Sequence, residues 1–141
     1  MLCRRCGLCC DGALFTSVPL ADGEIEPARR HGLVVVTRGD GTAGVRQRCA
    51  ALRGDEGCAV YEVRPGCCRR YRCMLLRALD EGEVSPTEAL AVVEEAHARL
   101  AAARAAGASP ADPEQRRSQA PELRAALAWL GRHFERAAGR A

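Results

Sequence analysis

Lysine and asparagine are both missing from this chain of 141 residues, and all 21 of its basic residues are arginine. A Schiff-base lysine, a phosphate-loop lysine and a lysine general base are therefore excluded. Aromatic residues are almost as scarce: Phe15, Tyr61 and Tyr71 are the only ones before Trp129 and Phe134. So few rings beside so many arginines argue against a stacking platform for nucleic acid. Charge of one sign is lacking too. Residues 1–80 carry 13 Arg against 9 acidic residues, residues 81–141 carry 8 against 9, and the net charge is +3. An excess that small is no electrostatic footprint for a polyanion. No apolar run approaches the length of a membrane span, and the opening Met-Leu-Cys-Arg-Arg-Cys has no apolar core of a secretory signal. A cytoplasmic chain, without membrane or nucleic-acid partners, is the expectation.

What the chain does have is sulfur. Four cysteines crowd the first ten residues as Cys3-x-x-Cys6-x-x-Cys9-Cys10; Cys49, Cys58, Cys67, Cys68 and Cys73 follow, and the last 68 residues hold none. Thiolate is a soft anionic ligand, and clusters of it at two-residue gaps are how a chain wraps zinc or an iron–sulfur cluster. An odd count of nine in a reducing compartment fits poorly with a disulfide framework. Residues 1–80 also have few large apolar side chains, so metal binding would supply folding free energy that burial does not.

Zinc sites usually combine two separated cysteine pairs. Three ligands in a row at this spacing resemble instead the ferredoxin run around one corner of a 4Fe–4S cubane. The spacing thus favours a 4Fe–4S cluster over zinc, with both carried forward as cofactors. Cys10 directly after Cys9 departs from ferredoxin. Neighbouring side chains point in different directions, so these two serve different metals, or one of them is not a ligand.

The rest of the chain punctuates itself. Residues 13–18 read as a short strand ended by Pro19, and residues 20–31 as a short helix limited by Pro27. The β-branched run Leu33–Thr37 and residues 43–48 flank an Asp-Gly turn, which predicts a hairpin. The Arg-Gly-Asp tripeptide at 38–40 is read as part of that turn. Residues 49–67 read as a loop. A helix is expected from about Cys68 to Asp80, stopping at Gly82. Ser85, Pro86 and Glu88 mark the start of the next helix as cap, first position and capping-box partner. Its stripe is Leu90, Val93, His97 and Leu100, and it ends near Gly107. Residues 108–121 read as a connector with one helical turn after Asp112-Pro113. A last helix over 121–138 puts Leu123, Leu127, Leu130 and Phe134 on one face.

The expected fold class is small α+β: an irregular cysteine-rich half with a short β-hairpin, then two or three α-helices. The expected domains are residues 1–82, binding metal, and residues 83–141, a helical extension packed on or beside it. The stripe on the last helix leaves a protein partner or self-association open, although packing within one chain explains it as well.

From Cys49 onward the residues read Cys58-Ala-Val-Tyr-Glu-Val-Arg-Pro-Gly-Cys-Cys-Arg-Arg-Tyr-Arg-Cys73. Together with the opening run, this resembles the YkgJ-type CxxCxxCC family of zinc- or iron-chelating domains over roughly residues 3–73. A domain of the same type occurs in flagellin lysine methylases, where it looks like an iron–sulfur module; this chain has no room for a methyltransferase domain. The resemblance implies metal ligands at Cys3, Cys6, Cys9, Cys10, Cys49, Cys58, Cys68 and Cys73. Cys67 falls at a variable position of the pattern, as a spare or substitute thiol.

Arg64-Pro65 lies between Cys58 and Cys68, where Pro fixes a turn and the guanidinium would donate to thiolate sulfurs or to loop carbonyls. Arg64 is therefore the candidate cofactor-binding residue. Arg4, Arg5, Arg69, Arg70 and Arg72 also flank cysteines, either offsetting thiolate charge or lying solvated on the surface. Tyr61 and His97 read as packed core residues, and His31 and His133 as surface positions near helix ends. None of the histidines has the spacing of a mixed zinc site.

Four functions compete on this reading. The first is a metal-binding module, structural or serving accessory electron transfer. An iron–sulfur-dependent enzyme subunit lacks any visible catalytic constellation. A nucleic-acid-binding zinc protein is opposed by the charge and the missing aromatics. In a thiol redox sensor, Cys10 or Cys67 would be an arginine-activated thiolate, and this is compatible with the first.

Overall fold

A computed structural model describes residues 2–54, 57–108 and 121–135. The chain is mixed α and β, as its patterning predicts, and it divides into two compact units: Gly7–Tyr71, and Met1–Cys6 together with Arg72–Ala141.

The first of these is a sheet unit. Strands β1 (Ser17–Pro19), β2 (Val35–Thr37) and β3 (Ala43–Arg46) form an antiparallel sheet in the order β1-β3-β2. The hairpin falls where the Asp-Gly signal put it, with Val35 opposite Val45 and Thr37 opposite Ala43. The Asp40 carboxylate closes the turn by accepting the Thr42 N–H at 3.0 Å and its hydroxyl at 2.6 Å. The predicted strand at 13–18 is shorter and later, at Ser17–Pro19, because it pairs with β3 only from Arg46 to Gly44. At Gly44 a Cβ would lie 2.7 Å from the Val18 carbonyl oxygen, so only glycine lets the two strands approach this closely.

A 3₁₀ turn (Asp22–Glu24) leads into α2 (Ile25–Arg30), where Pro27 sits in the first turn and its missing N–H costs nothing. Strands β4 (Leu52–Arg53) and β5 (Gly57–Cys58) pair as a second small ladder inside the stretch expected to be loop. A 3₁₀ turn (Tyr61–Val63) and α3 (Gly66–Arg70) complete the unit. Its interior is Leu20, Ala28, Leu33, Val45 and Ala51, with Cys49 and Cys58 packed partly buried against them.

The second unit is helical: α1 (Leu2–Cys6), α4 (Met74–Asp80), α5 (Pro86–Ala105) and α6 (Pro121–Phe134). The single helix expected over 68–80 is two helices. Tyr71 and Cys73 are extended, and the Cys73 sulfur accepts the Leu76 N–H at 3.4 Å, capping a fresh start. The capping box of α5 forms as read, with Glu88 N–H donating to Ser85 Oγ at 3.1 Å and Ser85 N–H to the Glu88 carboxylate at 2.6 Å. Its buried stripe is Ala89, Val93, Ala96, Leu100 and Ala103. The expected Leu90 and His97 are only half-buried, and Ala89, Ala96 and Ala103 hold inward positions instead. On α6, Leu123, Ala126, Leu130 and Phe134 face inward. The helical turn expected after Asp112-Pro113 lies outside the described residues, as do positions 136–138.

Candidate metal centre

In the helical unit, α1 carries Cys3 and Cys6 three residues apart, which places both on one helix face. Cys3 is exposed and Cys6 half-buried. The His97 ring meets the Cys6 carbonyl oxygen with Nε2 at 2.7 Å, so this histidine serves the backbone beside a cysteine. Cys73 begins α4, and α1 and α4 both pack against α5. Arg72 pairs with Asp80 at 2.9 Å.

In the sheet unit the opening run continues through a tight turn. The Gly7 carbonyl accepts the N–H groups of Cys10 (3.0 Å) and Asp11 (2.9 Å). Gly7 itself has φ +67°, a backbone region that L side chains adopt at a cost. Leu8 is wholly buried and pins the turn. Asp11, also buried, bends the next residues by accepting the Ala13 N–H at 2.8 Å. Cys10 thereby meets the second half of the pattern, since the Cys49 N–H donates to the Cys10 carbonyl at 2.7 Å. Cys58 stands across the β4–β5 ladder opposite Leu52, whose N–H bonds the Cys49 carbonyl at 3.1 Å. Cys67 and Cys68 occupy the first turn of α3, with their sulfurs 3.8 Å apart.

The electrostatics show that these thiols feel one another. Burial pushes the Cys49 thiol up; the Ala51 N–H pulls the other way, and the neighbouring Cys58 adds to the rise. Cys68 is also raised, first by its hydrogen bond to Cys67, then by burial, and then by the charges of Cys67, Cys10 and Cys49. Cys67 is lowered to about 7, because the Cys68 S–H stabilises its thiolate against the cost of burial. A cation is what would relieve the mutual repulsion of such a set.

All nine cysteines lie among the described residues, and none is joined in a disulfide. Among the described residues, no three His, Cys, Asp or Glu side chains converge closely enough to hold one metal ion. The donors Cys10, Cys49, Cys58, Cys67 and Cys68 are thus gathered in one unit without closing on a point. The Gln47 side-chain oxygen, two residues before Cys49, is buried with no hydrogen-bond partner among them. A buried orphan acceptor of this kind calls for an ion or ordered water. In chemical type the set suits a soft cation; in placement it does not close around one.

Arg64 donates its Nε–H to the Tyr61 carbonyl at 2.7 Å, and its guanidinium lies 3.6 Å from the centre of the Tyr61 ring. Of the two partners anticipated for it, thiolate or loop carbonyl, a carbonyl is the one engaged. Arg64 also lines a cavity of about 290 Å³ with Glu24, His31, Glu62 and Arg69.

Glu24 was not singled out by the sequence, yet its carboxylate accepts the Gly66 N–H at 2.7 Å, across 42 residues, and so fixes the start of α3. That bond, with the Ala21 N–H, holds its carboxyl below the usual range. Nothing local announces such a contact. Asp11 had a signal, because Asp-Gly immediately after a cysteine pair reads as a side-chain-closed turn.

His31 is exposed at the end of α2, and His133 stacks on Trp129 with ring centroids 4.0 Å apart. Among the described residues no helix is long and apolar enough to cross a membrane.

Residues 2–98 match the model of a family named CxxCxxCC, described as a "putative zinc- or iron-chelating domain". No curated protein and no solved structure matches the chain.

Proposed function

The chain belongs to the CxxCxxCC family, and on that premise we propose that it is a cytoplasmic thiolate module for a 4Fe–4S cluster or for zinc. The observation that carries this reading is the group of half-buried thiols in the sheet unit. Cys68 senses Cys10 and Cys49, and Cys49 senses Cys58. Cys10, Cys49, Cys58 and Cys68 are the proposed set there, while Cys3, Cys6, Cys9 and Cys73 complete the eight ligand positions.

These side chains reach coordinating positions as the cation binds, since the folding of small metal sites is coupled to ligation. Arg64 supports the turn that delivers α3, and its positive charge offsets that of the thiolates. A 4Fe–4S cluster would supply one-electron transfer, whereas zinc would supply closure of the fold alone. The three-in-a-row spacing of Cys3, Cys6 and Cys9 favours the cluster, and with it a role in accessory electron transfer, alone or as part of a larger enzyme.

The test is anaerobic purification followed by iron, sulfide and zinc analysis. A brown protein containing iron and acid-labile sulfide establishes the cluster. A colourless one with about two zinc ions per chain establishes paired tetrahedral sites. Protein free of both metals that stays folded in a strong chelator would end the proposal.

A further inference from the structure

One cavity of the sheet unit is lined, among the described residues, without a cysteine. Its volume is about 290 Å³, at the small end of ligand pockets, which start at about 300 Å³. One wall is α2 and the residues just after it, with Ala28 and Leu33 buried. The other is the segment from Glu62 to Arg69, which includes the buried Pro65. The bond from the Gly66 N–H to Glu24 ties the two walls together at 2.7 Å.

The buried lining is apolar, and the charged lining is exposed or half-buried. Glu62 and Arg69 are exposed, Arg64 is half-buried, and Val63 adds a half-exposed apolar surface beside them. Glu24 is already committed, since its two oxygens accept the Gly66 and Ala21 N–H groups at 2.7 and 3.2 Å. Arg64 is held by Tyr61, which accepts its Nε–H and stacks against its guanidinium, leaving the terminal nitrogens for another acceptor. Among the described residues the side chains of Glu62 and Arg69 make no hydrogen bond or ion pair. Two guanidiniums and two carboxylates thus line one small cavity, and charge of each sign is still open to a ligand.

We propose that this cavity binds a free α-amino acid with an apolar side chain. The side chain lies on Ala28, Leu33 and Val63. The carboxylate meets Arg64 and Arg69, whose planar forks match its two oxygens. The ammonium meets Glu62. A balanced lining suits a zwitterion, because a ligand of one sign satisfies one partner and leaves the other in water. The inference goes beyond the thiolate reading and does not depend on which cation the thiols hold.

The full chain, reduced and with the metal it carries from purification, is titrated with leucine by isothermal calorimetry. N-acetylleucine and leucinamide, each lacking one charge, serve as comparisons, and glycine keeps both charges without the apolar side chain. Leucine should bind at one site per chain, and all three comparison ligands several-fold more weakly. Arg69→Gln should erase the preference for leucine over leucinamide, and Glu62→Gln the preference over N-acetylleucine. Both side chains are exposed, and thermal melts confirm that the variants fold.

No binding of leucine, or equal binding of N-acetylleucine and leucinamide, would overturn the proposal. So would glycine binding as tightly as leucine, in wild type and in both variants, because the amino acid would then be chelating the metal. That last result leaves the thiolate reading standing, and metal analysis decides that reading separately.

Discussion

The two units of this chain are held together by different materials. The helical unit has an ordinary apolar interior: Leu100, Leu123 and Leu130 are wholly buried and Phe134 nearly so. The sheet unit has Leu20, Ala28, Leu33, Val45 and Ala51 at its centre, and the next layer includes the sulfurs of Cys49 and Cys58. A small interior built of alanine, valine and a few leucines contributes modestly at roughly 25 cal/mol per Å² buried. In one unit, then, burial accounts for the fold; in the other, thiols form part of the core.

Metal removal is the largest lever on that contrast. Structural zinc contributes apparent folding free energies of about 10–16 kcal/mol in small zinc domains. Chelation under reducing conditions should therefore unfold residues 7–71 and leave α5 and α6 intact. Hydrogen exchange read by mass spectrometry checks this peptide by peptide. Equal loss of protection over 86–105 and 35–46 would erase the distinction between the units.

Packing mutations should split the other way. Phe134→Ala is expected to cost the helical unit about 3–5 kcal/mol through a cavity in a closed core. Thermal denaturation should show that loss unchanged by added metal. Gly44→Ala acts on the sheet unit. Its new Cβ meets the Val18 carbonyl and the Arg38 side chain at 2.6–2.8 Å, and backbone cannot yield as a side-chain tip can. A cost of about 1–3 kcal/mol follows, and weaker metal retention should accompany it. Ser85→Ala removes the side-chain half of a capping box and should cost the helical unit about 1 kcal/mol, with no change in metal content.

How much of this could be read in advance follows the same division. The last two helices are legible because their signals are local: Ser85-Pro86 with Glu88, and the Leu123–Phe134 stripe. The hairpin was announced by Asp40-Gly41. The break at Tyr71–Cys73 was not, because helical propensity runs through it. What overrides propensity there is a tertiary ring contact, Tyr71 edge-on to Phe15 with centroids 5.1 Å apart, together with a sulfur acting as helix cap. At the candidate site, the cysteine spacing pointed to thiolates and to soft-cation chemistry. It did not show that Cys67 touches Cys68, or that Glu24 anchors the helix carrying both. Those are facts of three-dimensional placement, which no spacing within one segment encodes.

Glu24 gives the finest test of the contrast, because it stabilises the sheet unit without being a thiol. Its carboxyl is held below the ordinary value of 4.5, first by the Gly66 N–H, then by the Ala21 N–H, with Arg70 and Arg69 adding to the effect and burial opposing it. A group whose folded pKa is depressed stabilises fully above its unfolded pKa, and that contribution is lost as pH falls through the folded value. The sheet unit should therefore lose stability below about pH 4.5 partly through this residue. Glu24→Gln keeps an acceptor for Gly66 but no charge, so at neutral pH it should cost about 1 kcal/mol or less. Its signature is a shallower fall in stability between pH 4.5 and the acid midpoint, measured by urea unfolding of the metal-loaded protein. An unchanged acid slope in Glu24→Gln would mean that the carboxylate contributes only as a hydrogen-bond acceptor, and that the start of α3 is held by the turn through Arg64 and Pro65 instead.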